Sequence, residues 1–406
     1  MTQEKTIEKA IDKLKDKTIG YAFLHFWVDF CCALFVCGIA GGKVELYRCF
    51  LVYNFCAFAL QMPVGLLADR FDNSEKSAYL GCIVTAGAGL LSVIFSTILS
   101  EGEAGIHTGG ALLLVLLAGV GNCLFHVGAG KEVLEENKER LSPLGIFVAP
   151  GAVGIFLGPR LAETNPLFLM IIYGLLLAAG LYLLWNLKIQ SKEEKSRGAK
   201  CGKTDEKGAV AVQKQWILPA LFCLFLVVVL RSYMGLVSDF PFQRLPGGSL
   251  LLLLALVLGK VAGGLLADKI GTGKTIVFSM CAASIGFFLP EISLFGLLGV
   301  FFFHMSMPIT LYLAAAILHE YKGFSFGLLT FAIFVGFLPV YFGYGQGGRL
   351  FPVVVSLISL ILLCAGWFLG QKSLGQKNFG RKELGQNGLG NTEQRKSNKN
   401  PFQGGV

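Results

Sequence analysis

The amino-acid sequence predicts an all-α, polytopic membrane protein whose twelve transmembrane helices form two pseudo-symmetric six-helix bundles. Three observations lead to this prediction. Apolar residues make up 54% of the 406-residue chain, twelve apolar runs can each cross a bilayer, and one short motif occurs twice, about half a chain length apart. The mean hydropathy of +0.64 and the charged fraction of only 15% exclude a soluble globular protein.

The twelve apolar runs are the predicted spans 1 to 12. A transmembrane helix needs about 20 mostly apolar residues. In chain order the runs lie at about 18–40, 49–68, 77–99, 110–130, 143–162, 166–186, 215–237, 249–267, 275–290, 293–318, 325–343 and 350–370. A β-barrel, the other closed architecture in lipid, requires alternating polarity. The run 250–258 is apolar at every position, which favours helices.

Basic residues give the predicted orientation. With a cytoplasmic N-terminus, most of the 35 lysines and arginines fall in inward-facing segments. The outward loops hold Lys43, Arg48, Arg160, Arg244 and Arg349. This positive-inside bias predicts that both termini are cytoplasmic. Topology and contact with anionic lipid therefore account for the net charge of +9, and no nucleic-acid partner is expected.

The topology divides the chain into five segments. We expect a cytoplasmic amphipathic segment at 1–17, an N-terminal six-helix bundle at 18–186, a cytoplasmic linker at 187–214, a C-terminal six-helix bundle at 215–370 and a disordered cytoplasmic tail at 371–406. The tail is rich in Gly, Gln and Asn and cannot bury a core. The 11 cysteines lack metal-ligand spacing, so neither a metal site nor a cofactor is expected.

The repeated motif is Gly-Leu-Leu-Ala-Asp followed by a cation, and each copy ends a span. Its key residues are Gly65, Asp69 and Arg70 in the first copy and Gly264, Asp268 and Lys269 in the second. The glycines allow a neighbouring backbone to approach closely. The aspartates can meet the positive N-terminal end of an adjacent helix. The two cations can each form an ion pair across the inner face. One copy alone would be explained by an aspartate that ends a helix and a cation that follows the topology. Two copies at matching places indicate a repeated functional element.

This pattern resembles the signature between helices 2 and 3 of the major facilitator superfamily, and its degenerate copy between helices 8 and 9. The resemblance rests on Gly65, Leu67, Ala68, Asp69 and Arg70. An acid and an amide follow where the family has a glycine and a cation. The resemblance implies a 6+6 helical fold with alternating access, in which both copies of the motif act in gating on the cytoplasmic side.

A second signature lies in span 5, at Gly145, Gly154, Gly158 and Pro159. It resembles the antiporter motif of the same superfamily, which occurs mainly in exporters. Glycines one turn apart give a smooth face on which another helix can lie, and Pro159 lacks a backbone donor and allows a kink. The alternative interpretation is a plain glycine-rich packing face.

Further strings resemble the fosmidomycin-resistance subgroup of bacterial exporters. They lie at 25–29, 121–126, 151–159 and 230–236, in spans 1, 4, 5 and 7. The resemblance implies a multi-pass protein of the bacterial plasma membrane that exports a drug.

Ionisable side chains inside the spans are the independent argument for transport. A charge at the bilayer centre costs about 2.5–3.5 kcal/mol on insertion scales, so such residues usually face a cavity. Six ionisable residues lie inside spans 1, 4, 7, 8 and 10, namely His25, Asp29, His126, Arg231, Lys260 and His304. In the resembled superfamily, helices 1, 4, 7 and 10 line the central cavity and helix 8 flanks it.

The cations predict an anionic substrate. Arg231 and Lys260 have too few buried acids to neutralise both, and a phosphonate or carboxylate would compensate them. We expect His126 and His304 to complete the substrate site. For two of the four residues a structural role is a clear alternative, because His304 can be a satisfied core histidine and Lys260 can bond a helix carbonyl.

Asp29 and His25, one turn apart on span 1, are the candidate proton carriers. Burial favours the neutral forms of both groups, so a proton can be exchanged near neutral pH. The alternative is a static pair that fixes the helix.

Together these residues predict a secondary active transporter, a proton-coupled exporter (antiporter) of a small anionic organic compound that acts as a monomer. Proton-coupled uptake of an organic anion is the alternative within transport. An enzyme would need a catalytic constellation near one surface, and the sequence has no serine elbow or phosphate loop. A sensor would normally carry a sizeable soluble domain.

Overall fold

A computed structural model describes residues 2–40, 46–71, 73–99, 108–196, 213–345 and 347–375, with only the backbone for a few stretches such as 2–16. Within these ranges the chain contains helices and turns and no strand. The N-terminal bundle comprises α1 (Thr2–Ala40), α2 (Leu46–Asn54, the π-helical turn Phe55–Ala59 and Gln61–Phe71), α3 (Ser74–Leu99), α4 (Thr108–Glu136), α5 (Ser142–Val148 and Pro150–Leu161) and α6 (Pro166–Ser196).

The C-terminal bundle has the same order of six helices. It comprises α7 (Ile217–Val237), α8 (Gly248–Ile270), α9 (Thr272–Phe288), α10 (Ser293–His304 and Ser306–Ile317), α11 (Lys322–Tyr341) and α12 (Phe351–Ser373). Of the helices described, eleven are long and apolar enough to cross a membrane, and α9 is a shorter apolar helix. The prediction of an all-α, polytopic membrane protein is confirmed.

The two bundles share one packing pattern. In the first, α3 packs on α4 and α6, and α1 packs on α5. In the second, α9 packs on α10 and α12, and α7 packs on α11. The bundles meet through α2 with α11 and through α8 with α5, two contacts that the same repeat relates to each other. The structure therefore has the pseudo-symmetry that the repeated motif predicts.

The predicted segment boundaries differ from the helix ends. α1 runs unbroken from Thr2 through the predicted amphipathic segment, and α6 continues to Ser196, inside the predicted linker. Residues 197–212 and 376–406, which hold most of the linker and the tail, lie outside the described residues. The amphipathic segment, the linker and the disordered tail stay predictions.

Proline interrupts α5 at a different place from the one we expected. The helix breaks at Ala149, immediately before Pro150, whereas Pro159 lies inside the continuous segment Pro150–Leu161. A proline cannot donate to the carbonyl four residues earlier and crowds the preceding turn. Pro159 sits in the last turn of its segment, where few hydrogen bonds are at stake, and the break lies at mid-helix instead.

Candidate functional site

Two histidines and an aspartate meet in the interior of the N-terminal bundle. Nε2 of His25 lies 3.2 Å from Oδ2 of Asp29, which is one turn later on α1. His126 comes from α4, and its Nε2 lies 2.9 Å from Nε2 of His25 and 3.5 Å from Oδ1 of Asp29. All three residues are buried. We call them the His–Asp–His cluster.

Backbone carbonyls hold both rings of the cluster from behind. Nδ1 of His25 lies 2.8 Å from the carbonyl oxygen of Phe147, and Nδ1 of His126 lies 2.9 Å from that of Asn122. The Phe147 carbonyl belongs to the last turn before the α5 break at Pro150. In membranes, interrupted helices present such carbonyls where they line polar interior sites. The residues just before the α5 break thus supply a hydrogen-bond acceptor to the cluster.

The amide of Asn122 and the backbone of Gly151 complete the surroundings of Asp29. Nδ2 of Asn122 donates a 3.0 Å hydrogen bond to Oδ1 of Asp29. Gly151 lies so close that an added Cβ would collide with the Asp29 carboxylate and the His25 ring. The absence of a side chain at Gly151 is therefore a condition for the cluster. Cluster atoms within 4.8 Å of one another could also serve a transition-metal ion, and the expectation of no metal site stays a prediction.

Arg231, Lys260 and His304 form a second ionic group, which we call the cationic group. Arg231 donates a 3.1 Å hydrogen bond to Oγ of Ser306 at the α10 interruption, and Nζ of Lys260 donates one of 3.2 Å to the carbonyl of Val148. His304 leaves its buried Nδ1 without a partner. Within the described residues, no carboxylate lies at ion-pair distance from either cation. The group is rich in donors and lacks a counter-charge.

The two groups lie within electrostatic range of each other. Lys260 interacts with Arg231 and with Asp29, and His304 interacts with both cations. Lys260 donates to a helix carbonyl, which was the alternative to a role in substrate binding. This hydrogen bond, however, crosses from α8 to α5 between the bundles. The structure brings the six predicted residues into two neighbouring sets and puts His126 with Asp29 and His25 rather than with the cations.

The glycines of α5 lie against two different helices. An added Cβ would meet the α1 backbone at Gly154 and Gly158, and the carbonyl of Lys260 on α8 at Gly145. The glycine-rich face thus lets α5 approach α1 within its own bundle and α8 across the interface.

The repeated motif joins the bundles at the end that we expect to be cytoplasmic. Asp69 accepts hydrogen bonds of 2.8 Å from the backbone N–H groups of Gly323 and Phe324, in the first turn of α11. Asp268 accepts bonds of 2.7 and 2.9 Å from Leu141 and Ser142, where α5 begins. Each aspartate caps a helix of the opposite bundle, where the helix dipole favours a negative charge.

The other residues of the motif divide into buried and exposed members. Gly65 and Gly264 abut the backbones of α11 and α5 so closely that a Cβ would collide with a carbonyl oxygen. Arg70 and Lys269 are exposed and, in the described part of the chain, do not pair across the inner face as we expected. Buried Lys131 of α4 approaches Asp69 instead, at 3.8 Å.

Sequence reasoning did not assign a role to several residues of these sites. They are Asn122, Lys131, Phe147, Pro150 and Gly151. Phe147 acts through its backbone carbonyl, which leaves no trace in residue type, whereas Asn122, a polar residue inside span 4, also donates from its side chain to Asp29. The Pro150–Gly151 dipeptide inside a predicted span is a further signal, because both residues interrupt regular helices.

Comparisons with known proteins agree with the architecture. A sequence profile described as Major Facilitator Superfamily matches residues 38–339. A search among curated proteins found no matching sequence. The structure of FucP in an outward conformation is similar at 13% identity and a TM-score of 0.53, over 86% of this chain and 98% of FucP. The fucose:proton symporter FucP of E. coli, in a variant form, is similar at 11% identity and a TM-score of 0.56, over 88% and 98%. At such identities the likeness concerns the fold.

Proposed function

The chain belongs to the major facilitator superfamily of membrane transporters, and from this premise we propose that it carries a small organic anion across the membrane in a proton-coupled, alternating-access cycle. The observation that carries the proposal is the pairing of two buried ionic groups. The His–Asp–His cluster belongs to the N-terminal bundle and the cationic group to the C-terminal one, within electrostatic range of each other. A change of charge in one group therefore changes the electrostatic energy of the other.

The cationic group supports an anionic substrate. A buried charge without a partner is costly, and an anion would supply the missing counter-charge to Arg231 and Lys260. The guanidinium group can bind a carboxylate or phosphonate through two parallel hydrogen bonds. The unpartnered Nδ1 of His304 is a further contact for a substrate oxygen. We propose carboxylates and phosphonates as the substrate class.

Asp29 and His25 are the proposed proton carriers. Their contact with His126 and the α5 carbonyl keeps them away from lipid, and Lys260 is near enough to respond to their charge. Protonation and deprotonation of this site would alternate as the two bundles open to opposite sides.

Export by antiport is the direction that the α5 motif indicates, since Gly145, Gly154, Gly158 and Pro159 resemble the antiporter signature. Uptake by symport is the second candidate, and the charges favour it. A deprotonated Asp29 competes with a substrate anion for Lys260, so that a proton and an anion bind more readily together. The structurally similar FucP is described as a fucose:proton symporter.

Transport in reconstituted vesicles tests the proposal. Purified protein is inserted into liposomes in known orientation, and fosmidomycin and simple carboxylates are offered with and without a pH gradient. We expect gradient-driven movement of at least one anion, and we expect Asp29→Asn to abolish the dependence on the gradient. The direction of accumulation separates antiport from symport. Unchanged proton-driven transport by Asp29→Asn would remove the coupling role.

We also propose a monomer in the bacterial plasma membrane with both termini in the cytoplasm. Reporter fusions at each terminus test the topology, and the oligomeric state in nanodiscs tests the monomer.

A further inference from the structure

The hydrogen bonds to backbone carbonyls determine which nitrogen of each cluster histidine carries a hydrogen. A carbonyl oxygen only accepts, so Nδ1 of His25 must donate to Phe147 and Nδ1 of His126 must donate to Asn122. A neutral imidazole has a single N–H. When both rings are neutral, both Nε2 atoms are therefore bare acceptors.

Those two Nε2 atoms face each other at 2.9 Å, which is a hydrogen-bond distance. The carboxylate of Asp29 adds acceptor oxygens at 3.2 Å from one ring and 3.5 Å from the other. The nearby donor, Nδ2 of Asn122, is directed to Oδ1 of Asp29. Acceptors that face one another without a hydrogen between them repel, and burial increases the cost.

We infer that the cluster holds one proton shared between Nε2 of His25 and Nε2 of His126, with Asp29 as its fixed counter-charge. The inference rests on the proposed function and refines it, because it moves the carried proton from the Asp29 carboxyl to the histidine pair. A proton on Asp29 alone would leave the two Nε2 atoms opposed as bare acceptors. His126 becomes part of the coupling site rather than a substrate ligand.

The distances favour a proton over a metal ion at this place. Two ligands on a tetrahedral zinc ion, each bound at about 2.0–2.1 Å, lie about 3.3 Å apart. The two Nε2 atoms are closer than that, at 2.9 Å. A shared hydrogen accounts for the short separation, whereas a bound ion would push the rings apart.

The charge balance gives the shared proton a function. With one proton the cluster is neutral overall, as a carboxylate, an imidazolium and an imidazole. Release of that proton to the open side leaves one net negative charge. Outside the cluster, the titratable groups of the described residues that interact electrostatically with Asp29 are Cys32 of α1, Tyr53 of α2 and Lys260 of α8. Lys260 alone among these three can carry a compensating positive charge. Deprotonation therefore attracts Lys260 toward the N-terminal bundle.

Ring-nitrogen NMR tests the shared proton directly. The chain has 5 histidines, so ¹⁵N-histidine spectra of the full protein in nanodiscs can be assigned by single substitutions. We expect Nδ1–H on both rings and a hydrogen shared between the Nε2 atoms. His126→Asn keeps an N–H near the Nδ1 position and removes Nε2, and it should abolish the shared signal on His25. Exposed His319, replaced by Gln, is the matched control, which should leave that signal unchanged.

Two results on the purified protein would overturn the inference, and a third comes from transport. One is a His25 spectrum that His126→Asn leaves unaltered, and the other is stoichiometric transition metal in the purified protein. Vesicle transport separates this failure from that of the proposed function. If Asp29→Asn abolishes proton-driven transport and His126→Asn retains it in full, the shared proton fails while the transporter remains. If Asp29→Asn transports normally, the coupling role fails, and the spectra of the wild type still decide the proton's position.

Discussion

At the residue scale, the energetic cost of burying Arg231 leads most directly to a prediction. Its guanidinium group is buried, contacts the hydroxyl of Ser306 and is close enough to Lys260 for the two positive charges to repel. A guanidinium group keeps its charge in proteins, so it cannot relieve its burial by losing a proton. Its compensation has to come from a ligand or from groups that move during the cycle.

We therefore expect Arg231→Ala to weaken binding of carboxylate or phosphonate substrates. Loss of hydrogen bonds to a charged group costs about 1.5–3 kcal/mol, equivalent to roughly a 10- to 150-fold rise in Kd. Binding to purified protein, followed by calorimetry or intrinsic fluorescence, measures the change. Arg244→Ala is the control, because Arg244 lies exposed between α7 and α8 beside Asp239. Equal affinities of Arg231→Ala and the wild type would contradict the assigned role.

Gly151 offers a second residue-scale prediction. A methyl group there collides with Asp29 and His25, so Gly151→Ala must displace the cluster. Overpacking of this kind costs about 1–3 kcal/mol. We expect proton-driven transport to fall sharply while protein yield falls little. Gly174→Ala on α6 is the matched control, since no atom lies within 4 Å of the added Cβ. If both variants transport alike, Gly151 does not constrain the cluster.

At the element scale, the interruption of α5 connects the fold with the site. Phe147 and Val148, the last two residues before the break, present carbonyls to His25 of α1 and Lys260 of α8. One short segment of backbone thus contacts both ionic groups. A continuous helix would direct these carbonyls along its own axis.

We predict that Pro150→Ala slows transport more than Pro159→Ala does. The first change restores a backbone N–H at the break, allows a continuous helix and draws the preceding turn away from His25 and Lys260. The second change affects the last turn of the helix, which is regular already. Initial rates in vesicles, normalised to folded protein, make the comparison. A larger loss in Pro159→Ala would mean that the functional kink lies at the sequence motif instead.

The helices themselves were predictable because hydrophobicity is a local property. Spans 1 to 12 correspond to α1 to α12, including the short α9, and the repeat predicted the caps made by Asp69 and Asp268. Partners outside such local patterns were not predictable. The carbonyl that accepts from His25 depends on which helices face each other across the bundle. The same is true of the approach of Lys131, rather than Arg70, to Asp69.

At the scale of the whole molecule, the two aspartates form one reciprocal latch. Asp69 of the N-terminal bundle caps α11 of the C-terminal bundle, and Asp268 caps α5 in the reverse sense. Because both caps join opposite bundles at the same end, opening of that end must break both. In the proposed alternating-access cycle, the free energy of this opening step therefore contains two capping terms.

Hydrogen exchange measures these terms separately. We expect Asp69→Ala to accelerate amide exchange in the first turn of α11, and Asp268→Ala to do so at the start of α5. Loss of a helix cap costs about 0.5–2 kcal/mol, which is roughly a 2- to 30-fold faster exchange. Asp69→Asn retains an acceptor oxygen and should show a smaller change, while Asp239→Ala, between α7 and α8, is the control. Each variant should also accelerate exchange at the other cap, because the same opening exposes both. Acceleration confined to the mutated cap would contradict a shared latch, and the two inter-bundle contacts would then open independently.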